Sequence, residues 1–225
     1  MLRASAPSVP RFPTRLLPDR LRLPLLVALA AFCLSAAPAV ADDIVAVEEE
    51  WTLVVDIPNG DRSSPQLSFV ISPLPHTNSW FATFLINQRT APETAGGGLE
   101  LQLWNGPQRL THATLPDVAS LHTDGERIQW TQSMTLANNG TLTFQVSQGH
   151  STTWGTFGQG SSFQLATTTN LTNLNDYTPD TSAAQAGIDF GGNRVRRLVL
   201  NKVRIRTRQH QTVEHAEERV VWQNE

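Results

Sequence analysis

The stretch Arg127–Gln148 constrains the chain more than any other. It reads Arg-Ile-Gln-Trp-Thr-Gln-Ser-Met-Thr-Leu-Ala-Asn-Asn-Gly-Thr-Leu-Thr-Phe-Gln-Val-Ser-Gln. Ile128, Trp130, Met134 and Leu136 share one parity before Asn139-Gly140, and Leu142, Phe144 and Val146 share one after it. Alternation at period two marks strands with one buried face. Asn and Gly accept positive φ, which both central residues of a type I′ turn require, so the stretch predicts a tight hairpin. One face of the ribbon is apolar and the other carries Thr, Gln and Ser. A ribbon of that kind is not stable alone, because its apolar face needs a second layer.

The rest of the chain offers strands for that layer. Trp51–Ile57 alternates and is stopped by Pro58-Asn59-Gly60-Asp61. Leu67–Ile71 is a short apolar run between Pro65 and Pro73, and Trp80–Gln88 is apolar on both parities. Leu99–Trp104 alternates without a fault, with Leu99, Leu101 and Leu103 against Glu100, Gln102 and Trp104. Gln108–Thr114, Phe163–Thr169 and Ile188–Phe190 are weaker candidates, and Val195–Thr207 is a long one studded with Arg and Lys. A single helical turn fits around Ser182–Ala186. Turn signals between short strands, without an amphipathic helix, predict an all-β antiparallel two-sheet sandwich.

The ends read differently. Residues 1–41 carry five arginines and one aspartate, then the apolar run Leu23–Leu34, then Ala39-Val40-Ala41. This is the pattern of a secretory signal peptide cleaved near Ala41, and the run is shorter than the ~20 residues a membrane span needs. The expectation is a secreted, periplasmic or cell-surface protein with no membrane span in the mature chain. Of the 225 residues, 184 remain after cleavage, with 12 of the 17 basic and 19 of the 20 acidic side chains. The only cysteine, Cys33, leaves with the signal, so no disulfide is expected. A net charge of about −7 argues against nucleic acid or an anionic membrane as partner. Residues 42–50 read as a loose acidic leader, 51–208 as the sandwich domain, and 209–225 as a charged tail or edge strand.

Leu99-Glu100-Leu101-Gln102-Leu103-Trp104-Asn105-Gly106, the Asn-Gly hairpin, Thr153-Trp154-Gly155-Thr156-Phe157-Gly158, and Gly187-Ile188-Asp189-Phe190-Gly191-Gly192-Asn193-Arg194-Val195 together carry a resemblance. The chain resembles the concanavalin A-like lectin/glucanase superfamily, and within it the laminin-G-like jelly rolls of secreted bacterial proteins, over roughly residues 51–207. The resemblance implies a jelly-roll sandwich that binds or cuts glycans or mediates adhesion, with ligands on a concave sheet.

Sugars are held by flat aromatic rings and by planar polar groups that fork onto hydroxyl pairs. With the three leucines inward, Glu100, Gln102 and Trp104 point out of their sheet and form the floor of the expected carbohydrate site. Gln129 and Gln145 on the hairpin, Trp154 in its glycine-rich loop and Arg194 are placed around it. Trp154 fits a plug at the end of the sandwich somewhat better than a ring that stacks on a ligand. The laminarin-cutting members of the superfamily carry Glu-x-Asp-x-(x)-Glu on one strand; here Glu100-x-Gln102-x-Trp104 supplies one carboxylate. Hydrolysis needs two, so the reading is a non-enzymatic carbohydrate-binding or adhesive module with a glycan or cell-surface polysaccharide as partner. A glycan hydrolase or lyase is the alternative, and a ligand-free envelope protein a further one.

The six histidines show no metal-ligand spacing, and no cofactor is expected. The resemblance allows a structural calcium on loop oxygens, for which Asp176, Asp180 and Asp189 are available, without a calcium-loop consensus. The basic stripe of Arg196, Lys202, Arg204 and Arg206 fits an anionic partner less well than pairing with the acidic ends of the same chain.

Overall fold

The computed structural model describes residues 42–56, 65–87, 98–115, 121, 123–190 and 194–224. The expected signal peptide, residues 1–41, lies outside them, as do the turn at 58–61 and the glycine loop at 91–97. Asp42–Glu225 forms one compact unit. In chain order its elements are β1 (Ile44–Val55), β2 (Gln66–Ile71), β3 (Trp80–Ile86), β4 (Leu99–Asn105), β5 (Gln108–Leu115), β6 (Arg127–Leu136) and β7 (Thr141–Ser151). There follow β8 (Gly155–Phe157), β9 (Gln164–Thr168), α1 (Pro179–Gln185), β10 (Gly187–Phe190), β11 (Val195–Thr207), β12 (Thr212–His215) and β13 (Arg219–Gln223).

Among the described residues the strands form two antiparallel sheets. The large one runs β12-β11-β1-β6-β7-β8, with β13 also on β11 and β9 also on β7. The small one runs β10-β2-β3-β4-β5. The all-β, two-sheet sandwich expected from the sequence is what the chain adopts. Inward rows from both sheets make one core: Val47, Trp51 and Leu53 on β1, Phe69 on β2, Phe84 on β3, Leu99, Leu101 and Leu103 on β4, and Trp130 on β6. Trp51 and Trp130 are cross-strand partners and stack, with ring centroids 6.2 Å apart. Phe69 reaches from the other sheet to meet Trp130 edge to face, the ring centroids 4.6 Å apart. Such interlocked aromatics dominate a sandwich core, and truncating one to alanine costs ~3–5 kcal/mol.

The central hairpin forms with the expected parity but a different turn. Gly140 has φ 79°, while Asn139 does not enter the positive-φ region. Gly140 N donates to Ala137 O at 3.0 Å, and Ala137 N donates to Thr141 O at 2.9 Å. Leu136 still pairs with Leu142. This is a longer loop closed by one left-handed glycine, not the two-residue type I′ turn. The reason is local: Asn139 Oδ1 accepts from Thr141 N, which holds Asn139 in an ordinary conformation.

The start of the described chain corrects the sequence reading, and its end forms strands, as one of the two alternatives for 209–225 has it. The acidic residues 42–50 are not a loose leader, because β1 begins at Ile44 and continues unbroken to Val55. Glu48 and Glu50 face Arg204 and Lys202 across the ladder to β11, so their charges are matched there. Residues 209–225 are not a free tail, since β12 and β13 lie one after the other along β11. For the same reason β11 is an interior strand and not an edge. α1 starts where Thr178 accepts from Asp180 N and Pro179 supplies the preset φ of a first turn.

Candidate functional site

On β4 the alternation holds, and Glu100, Gln102 and Trp104 share the face of the small sheet turned away from the core. Their cross-strand neighbours on β3 are Leu85, Thr83 and Phe81. The polar groups form one chain: Trp104 Nε1 donates to Gln102 Oε1 at 3.0 Å, and Gln102 Nε2 donates to Glu100 Oε1 at 2.8 Å. Arg109 of β5 approaches the same oxygen at 3.4 Å. Glu100 is fully buried and Gln102 is 7 % exposed, so neither is an open floor. Trp104 is half-buried and lies nearly parallel to Phe81, the centroids 6.1 Å apart and the planes 4° apart. Behind this aromatic pair, the Gln102–Glu100 chain fixes the indole through its N–H.

The other expected site residues do not join them. Core-facing rows of the two sheets meet, so their outward rows lie on opposite sides of the sandwich. Gln129 and Gln145 stand on the outward row of the large sheet, away from Trp104, and Gln145 Nε2 donates to Gly160 O at 2.9 Å. Trp154 is the plug: its ring stacks on Phe157 at 5.7 Å, and Phe157 packs on Phe84. The loop that carries it is clasped by the buried Glu126, whose Oε1 accepts from Ser151 Oγ at 2.7 Å. Arg194 is 1 % exposed and reaches Asp56 O at 3.2 Å, while Asp56 N donates to Arg194 O. It ties the end of β1 to the start of β11 and cannot line a surface groove.

A second polar cluster went unnoticed in the sequence. Glu49 and Gln132 occupy core positions, on the parity of Trp51 and Trp130, and are direct cross-strand partners. Gln132 Nε2 donates to Glu49 Oε2 at 2.7 Å, Trp51 Nε1 to the same oxygen at 3.0 Å, and Tyr177 Oη to Oε1 at 2.8 Å. Burial raises the Glu49 carboxyl above its ordinary value, against the pull of these donors. Burial and the neighbouring carboxylate also raise the Tyr177 hydroxyl. The available signal was two polar residues at matching positions of two otherwise apolar rows.

Arg196, Lys202 and Arg204 of the basic stripe are met by acids of the same chain. Arg204 reaches Glu48 at 2.5 Å, Glu50 at 3.2 Å and Glu214 at 3.3 Å, and the hydrogen bond it donates to Glu48 raises its guanidinium. Lys202 lies 3.1 Å from Glu50, and Arg197 2.8 Å from Glu218. Asp180, one of the residues set out for calcium, pairs with Arg219 at 3.2 Å. Among the described residues no group of three or more His, Cys, Asp or Glu is placed to hold a metal ion. No described helix is long and apolar enough to cross a membrane.

The sequence matches no family model and no curated protein. Among solved structures it is similar to scytalidoglutamic peptidase bound to a peptide-based transition-state analogue, at 9 % identity and a TM-score of 0.34, over 80 % of this chain and 81 % of that one. It is also similar to SCP-B, a member of the eqolisin family of peptidases in complex with the tripeptide Ala-Ile-His, at 8 % identity and a TM-score of 0.25, over 80 % and 86 % of the two chains. Likeness at that level carries nothing about activity.

Proposed function

We propose that the chain is a secreted, non-enzymatic β-sandwich module of the concanavalin A-like, laminin-G-like kind, binding carbohydrate through the Phe81–Trp104 pair. The observation that carries the reading is the half-buried Trp104 ring, parallel to Phe81 and anchored by Gln102 and Glu100 behind it. A flat aromatic surface attracts the C–H face of a sugar, and a ring already held in place loses little entropy on binding. Gln102 and Glu100 are positioning residues in this reading, and the exposed strand β5 borders the platform. The reading differs from the sequence expectation in its floor, which is aromatic with the polar groups beneath.

Binding to a panel of immobilised polysaccharides tests it. Trp104→Ala is expected to weaken binding at least tenfold, equivalent to ~1.4 kcal/mol. Gln102→Met, which frees the indole but keeps its ring, is expected to fall between. Binding unchanged in Trp104→Ala sinks the proposal. Release of reducing sugar that disappears in Glu100→Gln favours the hydrolase alternative instead.

A further inference from the structure

We propose that the outer face of the large sheet carries a second ligand site, a shallow depression that takes one uncharged sugar or polyol unit on the side of the sandwich opposite Trp104. The depression measures about 240 Å³ and is lined by Glu50, Gln129, Thr131, Gln148, His150 and Asn201. It does not depend on the Phe81–Trp104 platform.

A bulge builds it. Gln129 pairs with His150, but Thr131 pairs with Ser147, so Gln148 and Gly149 together stand opposite Trp130. Gln148 adopts φ 53°, a left-handed conformation that costs a residue other than glycine ~1–2 kcal/mol. Bulges re-aim side chains, and this one turns Gln148 onto the polar face, where its Oε1 lies 3.4 Å from the Thr131 hydroxyl that donates to it. On the other flank Thr52 Oγ1 accepts from Asn201 Nδ2 at 2.8 Å and from Gln129 Nε2 at 3.4 Å. Those two bonds hold both amides through their nitrogens.

The chemistry that results is alternating. Gln148 Nε2 offers donors, while Gln129 Oε1 and Asn201 Oδ1 offer acceptors, and none of the three is used by another described residue. Adjacent sugar hydroxyls each donate and accept, and planar amides match them. Glu50 does not bias the site toward cations, because Lys202 and Arg204 already neutralise it at 3.1 and 3.2 Å. The volume falls below the ~300 Å³ at which pockets for drug-sized ligands begin, which suits one sugar unit. With Trp104 on the opposite side, one domain would bridge two glycan chains, and bridging raises avidity without any new contact.

The test is a titration of the ¹⁵N-labelled protein with glucose, galactose, mannose and N-acetylglucosamine, read by nuclear magnetic resonance. The side-chain amide signals of Gln129, Gln148 and Asn201 are expected to shift together and to saturate with at least one of the four. Gln148→Gly suits the left-handed backbone and deletes the amide; it is expected to weaken the response of Gln129 and Asn201 at least tenfold. His150→Ala, an exposed position, is the second variant and is expected to weaken it less. No saturable amide shift with any of the four sugars, or the same shift in Gln148→Gly, overturns the proposal. The indole signal of Trp104 reports the other face separately, so loss of the platform and loss of this site give different spectra.

Discussion

Replacing Glu49 by glutamine isolates the energetics of a fully buried carboxyl. The amide has nearly the same shape, and one of its two polar atoms still accepts from Gln132 and Trp51. The Tyr177 hydroxyl rotates to accept from the new NH₂. What changes is the proton. Burial raises the Glu49 carboxyl above the 4.5 of a free side chain, so the folded protein holds a proton that the unfolded chain releases. Stability from this group is therefore fully present below pH ~4.5 and is lost as pH rises through the folded value. Every tenfold by which burial favours the protonated form removes ~1.4 kcal/mol at neutral pH. Glu49→Gln carries no such loss. Its stability relative to the native protein is expected to be lowest in acid and to rise with pH, overtaking the native protein near neutrality. Urea unfolding of both proteins at a series of pH values between 4 and 8 measures the gap. Parallel curves would refute the reasoning, since they would mean Glu49 titrates as in the unfolded chain.

Three further outcomes are expected. A Cβ at Gly149 would lie 2.3 Å from the Phe157 ring, so Gly149→Ala should lower stability by ~1–3 kcal/mol in urea melts. Gly140→Ala combines a left-handed φ with a Cβ 2.7 Å from Thr169 O, and should lower the thermal midpoint by a similar free energy without changing the far-ultraviolet spectrum. Arg204→Ala leaves Glu48, Glu50 and Glu214 facing one another; its cost should be about 1 kcal/mol at low ionic strength and should shrink in high salt.

Much of the fold could be read in the residues. Alternation placed β4, β6 and β7 with the correct inward face, because packing an apolar row against a second layer fixes strand register. The acidic start was misread for one reason. Charge density suggested solvation at Glu48–Glu50, yet Glu48 and Glu50 meet Arg204 and Lys202 across the β1–β11 ladder and Glu49 turns inward to Gln132, and only pairing reveals that. The site was half legible. Parity correctly gathered Glu100, Gln102 and Trp104, but parity cannot say which of two sheets a strand joins. Gln129 and Gln145 therefore came out on the wrong side of the molecule. Arg194 was placed beside a surface site, yet it is 1 % exposed, and Trp154 takes the plug position that its loop also allowed. Glu49 was read with the acidic leader and Gln132 was not singled out, and their partnership needed the β1–β6 register.

The place of β1 has a consequence for how this molecule comes into being. The earliest described strand lies between one from the middle of the sequence and one that ends at Thr207. No growing polypeptide can complete the centre of that sheet until Val195–Thr207 has been synthesised. Assembly then requires closure over some 160 residues between Ile44 and its neighbour Thr207, a separation of the kind that slows folding. A shortened product ending before Val195 would expose one whole side of its first strand, ready to zip onto any other chain.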